Sequence, residues 1–210
     1  MDYTLENLIT ILRNRLQDEE YDEDSLKTFL NQAQDEILGE EKYPFMERVD
    51  TYFADEKGEI NLPLGYAATT HIFARKDEQP RHELLFIAPD DFFENTEAKS
   101  MVYTKYGNII FYRINGNTDN NGYEITHLYL ANPRPMIEDD DKPAIPAEFM
   151  EALLLGALYR AEQRRYNFDY AQIYQNQMEQ LLVNMKLRYG PGNLSASNRA
   201  KLPFGGNYNG

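Results

Sequence analysis

Residues 145–190 read IPAEFMEALLLGALYRAEQRRYNFDYAQIYQNQMEQLLVNMKLRYG, and the spacing of their apolar residues predicts two consecutive long helices. The first helix has two neighbouring stripes of apolar and tyrosine residues. The first stripe contains Met150, Leu153, Leu154, Ala157, Leu158 and Ala161, and the second contains Leu155, Tyr159 and Tyr166. YNFD interrupts the pattern, and residues 169–172 fit a capping box that starts the second helix. The inner face of that helix is predicted to contain Ala171, Tyr174, Met178, Leu181, Leu182 and Met185. Because apolar and tyrosine residues occupy more than one face of the hairpin, the pattern indicates a scaffold protein that associates with itself or with a partner.

The first 46 residues predict another pair of helices. Apolar residues recur at helical spacing over residues 4–16, and Thr4 is suited to the N-cap. After the acidic run QDEEYDED, a second helix is predicted to begin at Asp24 or Ser25 and to stop at Gly39.

Between these helical regions the apolar period changes to that of strands. RVDTYFADEKGEINLP predicts two short strands around a turn at Lys57-Gly58, whereas TTHIFAR and ELLFIAP predict one strand each. MVYTKYGNIIFYRI is the strongest hairpin signal, with Gly107-Asn108 in the turn, and GYEITHLYLA supplies a last strand. A short helical turn is expected after Pro89. These strands predict a small antiparallel sheet or sandwich.

The predicted fold class is therefore α+β, a helical bundle of the two terminal helix pairs with an inserted β region. The expected segments are 1–46 for the N-terminal helices, 47–132 for the β insertion, 133–189 for a proline-rich connector and the helical hairpin, and 190–210 for a flexible tail. The tail is rich in Gly, Asn and Ser and cannot fold alone.

Composition narrows the function classes. The 210 residues include no cysteine, which excludes disulfides and thiolate metal sites. The net charge of −14 argues against a surface that grips nucleic-acid phosphates. After Glu179 the chain has four basic residues and no acidic one, so an acidic body carries a basic tail. We also expect no signal peptide, because MDYTLENLIT has neither a positive n-region nor an apolar h-region, and no membrane span, because no apolar run approaches about 20 residues.

Candidate chemical sites are weak. The three histidines lack metal-ligand spacing, and NTDNNG at 117–122 resembles a calcium loop that has Leu128 where the bidentate acid belongs. EDDD at 138–141 is interpreted as a solvated connector; a carboxylate metal-dependent hydrolase using residues 139–141 is the remote alternative. No nucleotide-binding or hydrolase motif occurs, so we predict no catalytic residue, no metal, no cofactor and no enzymatic activity.

Gly156 is unusual in the predicted hairpin, since an interior glycine costs a helix about 1 kcal/mol relative to alanine. It indicates either that a partner backbone approaches closely or that an ordinary bundle tolerates a glycine. Tyrosine and arginine, which are enriched in strong interfaces, cluster near the bend. The candidate subunit interface is Gly156, Tyr159, Arg164, Arg165, Tyr166, Tyr170 and Tyr174.

The order of these parts resembles the head-to-tail connector (adaptor) proteins of tailed bacteriophages. The resemblance is carried by TLENLITILRNRL, LKTFLNQAQDEIL and the region from LYLANPRPMIEDDDKPAIPAEFM to YAQIYQNQMEQLL, covering most of residues 4–185. It implies a ring of identical subunits, usually twelve, assembled in the host cytoplasm and located in the virion neck beneath the portal protein. Such a ring extends the DNA channel, lets DNA pass without sequence-specific binding, and docks a downstream tail or neck protein.

In similar connectors the C-terminal segment reaches into the portal. The candidates for this portal-binding tail are Arg199, Lys201, Leu202, Pro203 and Phe204. A tail-completion or neck protein one layer below the connector is the alternative that the same resemblance leaves open.

Overall fold

The structure is a computed structural model that describes residues 2–17, 21–39, 41–94, 101–114 and 122–190. These residues form two compact units. The helical unit contains the described residues up to Met46 and from Asn132 onward, and the β unit runs from Glu47 to Ala131. The mixture of helices with two small, mainly antiparallel sheets confirms the α+β class.

The described residues contain five α-helices: α1 Leu5–Leu16, α2 Glu23–Gly39, α3 Pro89–Glu94, α4 Met150–Arg164 and α5 Phe168–Tyr189. As predicted, Thr4 caps α1, because its hydroxyl accepts a hydrogen bond from the Asn7 N–H. The capping box predicted at 169–172 is wrong: α5 begins at Phe168, and Asn167 at the N-cap makes no side-chain capping bond. A 3-10 turn, Ala147–Phe149, follows Pro146 and precedes α4.

Helix α4 occupies the centre of the helical unit, because it packs against α1, α2 and α5. Its residues from Ala152 to Leu158 are all buried, including Leu155 of the second predicted stripe. A helix that is apolar around most of its circumference needs neighbours on several sides. The breadth of the apolar surface on α4 is therefore explained within the chain.

Gly156 lies at the closest approach of these helices. A Cβ atom at this position would be 2.9 Å from Ala33 Cβ on α2 and 3.0 Å from Met178 Sδ on α5. Real Cβ atoms essentially never approach that closely, so glycine lets three helices meet. Gly156 therefore offers no surface to another subunit, and the close approach predicted from the sequence lies within the chain.

Two amide side chains of α2 hold the proline-rich connector. Asn31 donates from Nδ2 to the Met136 carbonyl (2.9 Å) and accepts from the Met136 N–H at Oδ1 (2.8 Å). Gln34, which is fully buried, donates to the Arg134 carbonyl (3.1 Å) and accepts from the Ala144 N–H (2.7 Å). Residues three apart share one helix face, so a single turn of α2 binds both ends of the connector.

The described part of the β unit has eight strands: β1 Glu47–Phe53, β2 Glu59–Asn61, β3 Tyr66–Lys76, β4 His82–Glu83, β5 Leu85–Phe86, β6 Val102–Tyr106, β7 Ile109–Arg113 and β8 Tyr123–Ala131. One sheet has the order β1-β8-β3-β4, and the other has the order β2-β7-β6-β5. All pairs between these eight strands are antiparallel except β5 with β6, which is parallel. One core serves both sheets, since Ile72 and Ile125 of the first cluster with Ile60 and Ile110 of the second.

The strand predictions were partly correct. The Gly107-Asn108 hairpin is confirmed, and Gly107 has the positive φ of +59° that such turns favour. The strands around Lys57-Gly58 exist, but they belong to different sheets. ELLFIAP does not form one strand: β4 and β5 lie in different sheets, and Leu84 between them is buried in the shared core.

His127 is a buried polar residue of the first sheet. Its Nε2 lies 3.0 Å from Thr69 Oγ1, and Asp50 is its cross-strand neighbour on β1. Burial lowers the pKa of His127 to about 4, so the imidazole is neutral at pH 7. This histidine has a structural role in the sheet.

The first prediction concerns the connector. Replacing Gln34 with alanine leaves the Ala144 N–H and the Arg134 carbonyl without their partner, so we expect the free energy of unfolding to fall by roughly 1–3 kcal/mol. Urea unfolding followed by circular dichroism measures this. Gln32→Ala, at an exposed position of the same helix, is the control and should change stability by less than about 0.5 kcal/mol. Equal effects of the two substitutions would contradict a role for Gln34 in holding the connector.

The second prediction concerns Gly156. In Gly156→Ala the new methyl group meets the rigid Ala33 Cβ, and overpacking of about 1–3 kcal/mol outweighs the gain in helix propensity of about 1 kcal/mol. We therefore expect a lower melting temperature and a lower free energy of unfolding. Gly39→Ala is the matched control, because no atom lies within 4 Å of its added Cβ. A Gly156→Ala protein as stable as Gly39→Ala would show that the helices have room to separate.

Candidate interaction surface

The acidic run at 138–141 has a structural explanation. The Asp141 carboxylate accepts hydrogen bonds from the N–H groups of Ile137 (2.7 Å) and Glu138 (2.8 Å), which lower its pKa below the usual value. The backbone carbonyls of Asp141 and Asp139 accept from the first N–H groups of α1, at Leu5 (2.8 Å) and Glu6 (3.1 Å). The run thus supplies hydrogen-bond acceptors to the N–H groups at the N-terminus of α1, where the helix dipole also favours negative charge.

Metal sites receive no support from the side chains that are placed. Within the described ranges, no three His, Asp or Glu side chains are arranged to hold a metal ion. His71 Nδ1 pairs with Glu83 Oε1 at 2.6 Å, and His82 is exposed on β4. Of the loop at 117–122 that resembles a calcium site, all but Gly122 lies outside the described residues.

The two arginines predicted at the subunit interface bind other parts of their own chain. Arg164 donates to Ser25 Oγ at 3.1 Å, and its guanidinium lies 5.9 Å from the Phe29 ring centroid. The Arg165 guanidinium lies 5.0 Å from the Tyr21 ring centroid and 3.4 Å from Glu162. Both contacts join the bend between α4 and α5 to residues on and just before α2.

The four tyrosines of the predicted interface divide into two kinds. Tyr159 and Tyr174 are partly buried, and the Tyr159 hydroxyl accepts a hydrogen bond from Gln163 Nε2 at 2.7 Å. Tyr166 and Tyr170 are exposed, with 81% and 56% of their surface accessible. The exposed pair is therefore available to another molecule, whereas the partly buried pair serves mainly the fold.

Tyr166 has a strained backbone. Its φ is +60°, in the left-handed region where glycine is the usual residue. The Asn167 N–H bonds to the Glu162 carbonyl and the Tyr166 N–H bonds to the Gln163 carbonyl, which is the Schellman pattern with Tyr166 at the glycine position. Strain of this kind persists where other constraints hold it, and it is enriched at functional sites.

Helix α5 presents a second face that the sequence interpretation missed. Its exposed residues at spacings of three and four are Ile173, Asn176, Gln180, Val183 and Leu187, here called the α5 seam. At 3.6 residues per turn the seam fits within an arc of about 80° and lies on the side opposite the buried Ala171, Met178, Leu182 and Met185. The three apolar members are 49%, 57% and 66% exposed. The signal was present in the sequence, because these three residues fall outside the predicted inner face.

The C-terminal end of α5 is held against the rest of the helical unit. Arg188 forms an ion pair with Glu148 at 2.6 Å, and the Tyr189 ring lies 5.5 Å from the Phe45 ring and 6.0 Å from the Phe149 ring. These contacts fix the position of residue 190, where the described residues end. The predicted portal-binding residues 199 and 201–204 lie outside the described residues.

No helix among the residues that the structure places is both long and apolar enough to cross a bilayer.

The chain matches a known protein family. The family model described as SU10 adaptor protein matches residues 3–199, which is most of the chain. No curated protein matched the sequence. The family match confirms the resemblance to phage adaptor proteins that the sequence motifs indicated.

A prediction follows from the strain at Tyr166. Glycine adopts left-handed backbone angles without the penalty of roughly 1–2 kcal/mol that other residues incur, so Tyr166→Gly should raise the free energy of unfolding by about 1 kcal/mol. Tyr170→Gly is the matched control, since glycine within α5 should lower that free energy by about 1 kcal/mol. Chemical denaturation compares the two. A loss of stability in Tyr166→Gly would mean that Tyr166 makes stabilising contacts that exceed its strain.

Proposed function

The chain belongs to the SU10 adaptor protein family, and from this membership we propose that it is a structural component of a phage virion that connects the head to the tail. In this role identical copies form a ring beneath the portal protein, with twelve as the expected number. The ring extends the DNA channel and offers a platform to the next tail or neck protein. The proposed role is non-enzymatic and depends on shape and on repeated contacts.

The observation that carries the proposal beyond family membership is the pair of opposite faces on α5. One face is buried against the chain itself, and the other exposes apolar residues along the helix. A helix that has apolar residues on two sides, with only one side covered by the described residues of the chain, is suited to assembly. Together with the exposed Tyr166 and Tyr170, the α5 seam gives the helical unit a surface for other subunits.

Two features of charge are consistent with a channel component. The chain carries a net charge of −14, and like charge opposes adhesion of DNA that must slide past. The last 31 residues carry a charge of +4, which distinguishes the C-terminal segment from the acidic body. A basic segment that contains Leu202 and Phe204 is suited to docking on a neighbouring protein, for which we propose the portal.

The contacts of the helices also support the proposed arrangement of the subunit. Helix α4, from the C-terminal half, packs against α1 and α2 from the N-terminal end, so both termini contribute to one helical unit. This supports the four-helix bundle as the platform on which subunits meet.

The prediction that tests this function concerns the tail. A chain that ends at Gly190 should keep its melting temperature but lose binding to portal rings, because the proposed docking residues are removed while the described helices stay intact. Co-sedimentation with purified portal measures the binding. A chain that ends at Phe204 is the control and should bind like the full-length protein, since it retains residues 199–204.

Full portal binding by the chain that ends at Gly190 would contradict the docking role of the tail. Binding of the full-length protein to tail proteins but not to portal would instead favour a tail-completion or neck protein one layer below.

A further inference from the structure

The α5 seam has the spacing of a helix–helix interface. Its five positions are separated by three, four, three and four residues, which is the heptad spacing of helices that pack side by side along their length. From Ile173 to Leu187 the seam is about 21 Å long at 1.5 Å per residue. Surface helices that face only water have no need of apolar residues in this pattern.

The seam also lacks charge. More than a quarter of the chain's residues are charged, yet the five seam positions contain three apolar and two amide side chains. Depletion of charged residues marks the buried core of protein interfaces and not ordinary surface. Asn176 and Gln180 lie between the apolar residues, where polar groups in a helical seam fix the register of the packed helices.

We propose that the α5 seam packs lengthwise against a second copy of this chain and forms the principal contact between neighbouring subunits. The inference rests on the proposed ring and names the face that builds it. In a closed ring the contact is heterologous, so the seam of one copy meets a different helical surface of the next. The exposed Tyr166 and Tyr170 at the bend extend the same contact beyond the first turn of α5.

Charge selects this occupant over others. Two chains that each carry −14 repel one another, so copies meet most favourably on surfaces where neither carries charge. DNA or a basic peptide would gain no charge pairing from the seam, and the basic segment after Glu179 would find its complement on the acidic surfaces instead. Amide side chains offer both donors and acceptors, so they suit a partner that presents uncharged polar groups.

The absence of cysteine permits a direct test. Gln180→Cys provides one site for a benzophenone–maleimide cross-linker, because Gln180 is exposed at the centre of the seam. Equal amounts of ¹⁵N-labelled and unlabelled variant are irradiated, both as purified protein at high concentration and bound to portal rings. Mass spectrometry should find cross-linked peptides that join a labelled chain to an unlabelled chain.

Charge added to the seam should break the contact. Val183→Glu and Leu187→Glu, introduced singly into the Gln180→Cys protein, should lower the yield of mixed-label cross-links roughly tenfold or more, because each buries an unpaired carboxylate. Both native side chains are more than half exposed, so circular dichroism and the melting temperature of the subunit should stay unchanged. Gln32→Glu adds the same charge at an exposed position of α2 and should leave the yield unaltered.

The outcomes separate this inference from the proposed function. Cross-links that join the introduced cysteine only to portal, or an absence of mixed-label cross-links in both preparations, would overturn the seam contact even where the protein binds portal. A protein that binds no portal but forms mixed-label cross-links sensitive to Val183→Glu would uphold the seam contact and contradict the proposed function. Equal loss of yield in Gln32→Glu would attribute the effect to net charge and would also overturn the proposal.

Discussion

Two amide side chains on one turn of α2 determine how the helical unit is assembled. The connector that follows the β unit has prolines at 133, 135, 143 and 146, which lack N–H groups and cannot continue a regular ladder. Its backbone therefore needs side-chain partners, and Asn31 and Gln34 supply four hydrogen bonds to it. Because the connector is held there, the carbonyls of the acidic run reach the N-terminus of α1, and the chain enters α4 against α2.

The position of α4 then decides which surface remains for other molecules. Since α4 contacts α1, α2 and α5, its apolar surface is buried by other helices of the same chain. Helix α5 lies on only one side of α4 and keeps an apolar face on its opposite side. The apolar residues of the hairpin therefore fall into two groups. Those that are buried stabilise the fold, and those that stay exposed on the described structure are available for contacts with other molecules.

The sequence predicted helices and strands well where one face of the element is buried and the element is long enough to repeat its pattern. The helical period of α1 and the Gly107-Asn108 hairpin are examples, because each repeats its pattern over several turns or pairs. ELLFIAP failed because strands of two residues are too short to show alternation, and Leu84 is buried between two sheets. The sequence placed Gly156, Arg164 and Arg165 in a subunit interface, and residue type alone could not reveal that each of them also contacts its own chain. Neighbours within the chain, such as Ala33 for Gly156 and Ser25 for Arg164, lie more than 100 residues away in sequence.

Charge connects the fold to the proposed assembly. Each copy carries −14, and the proposed ring would concentrate this charge at distances where salt, with a screening length of about 8 Å at physiological ionic strength, attenuates repulsion only in part. Assembly is then favourable only if the contacts themselves add no repulsion and bury apolar surface. The uncharged α5 seam satisfies both conditions, whereas the acidic run at 138–141 is already committed to the N-terminus of α1. Acidity elsewhere on the subunit is compatible with the proposed channel, which DNA would pass without adhering, so a neutral contact face and an acidic body meet different requirements of the proposed ring.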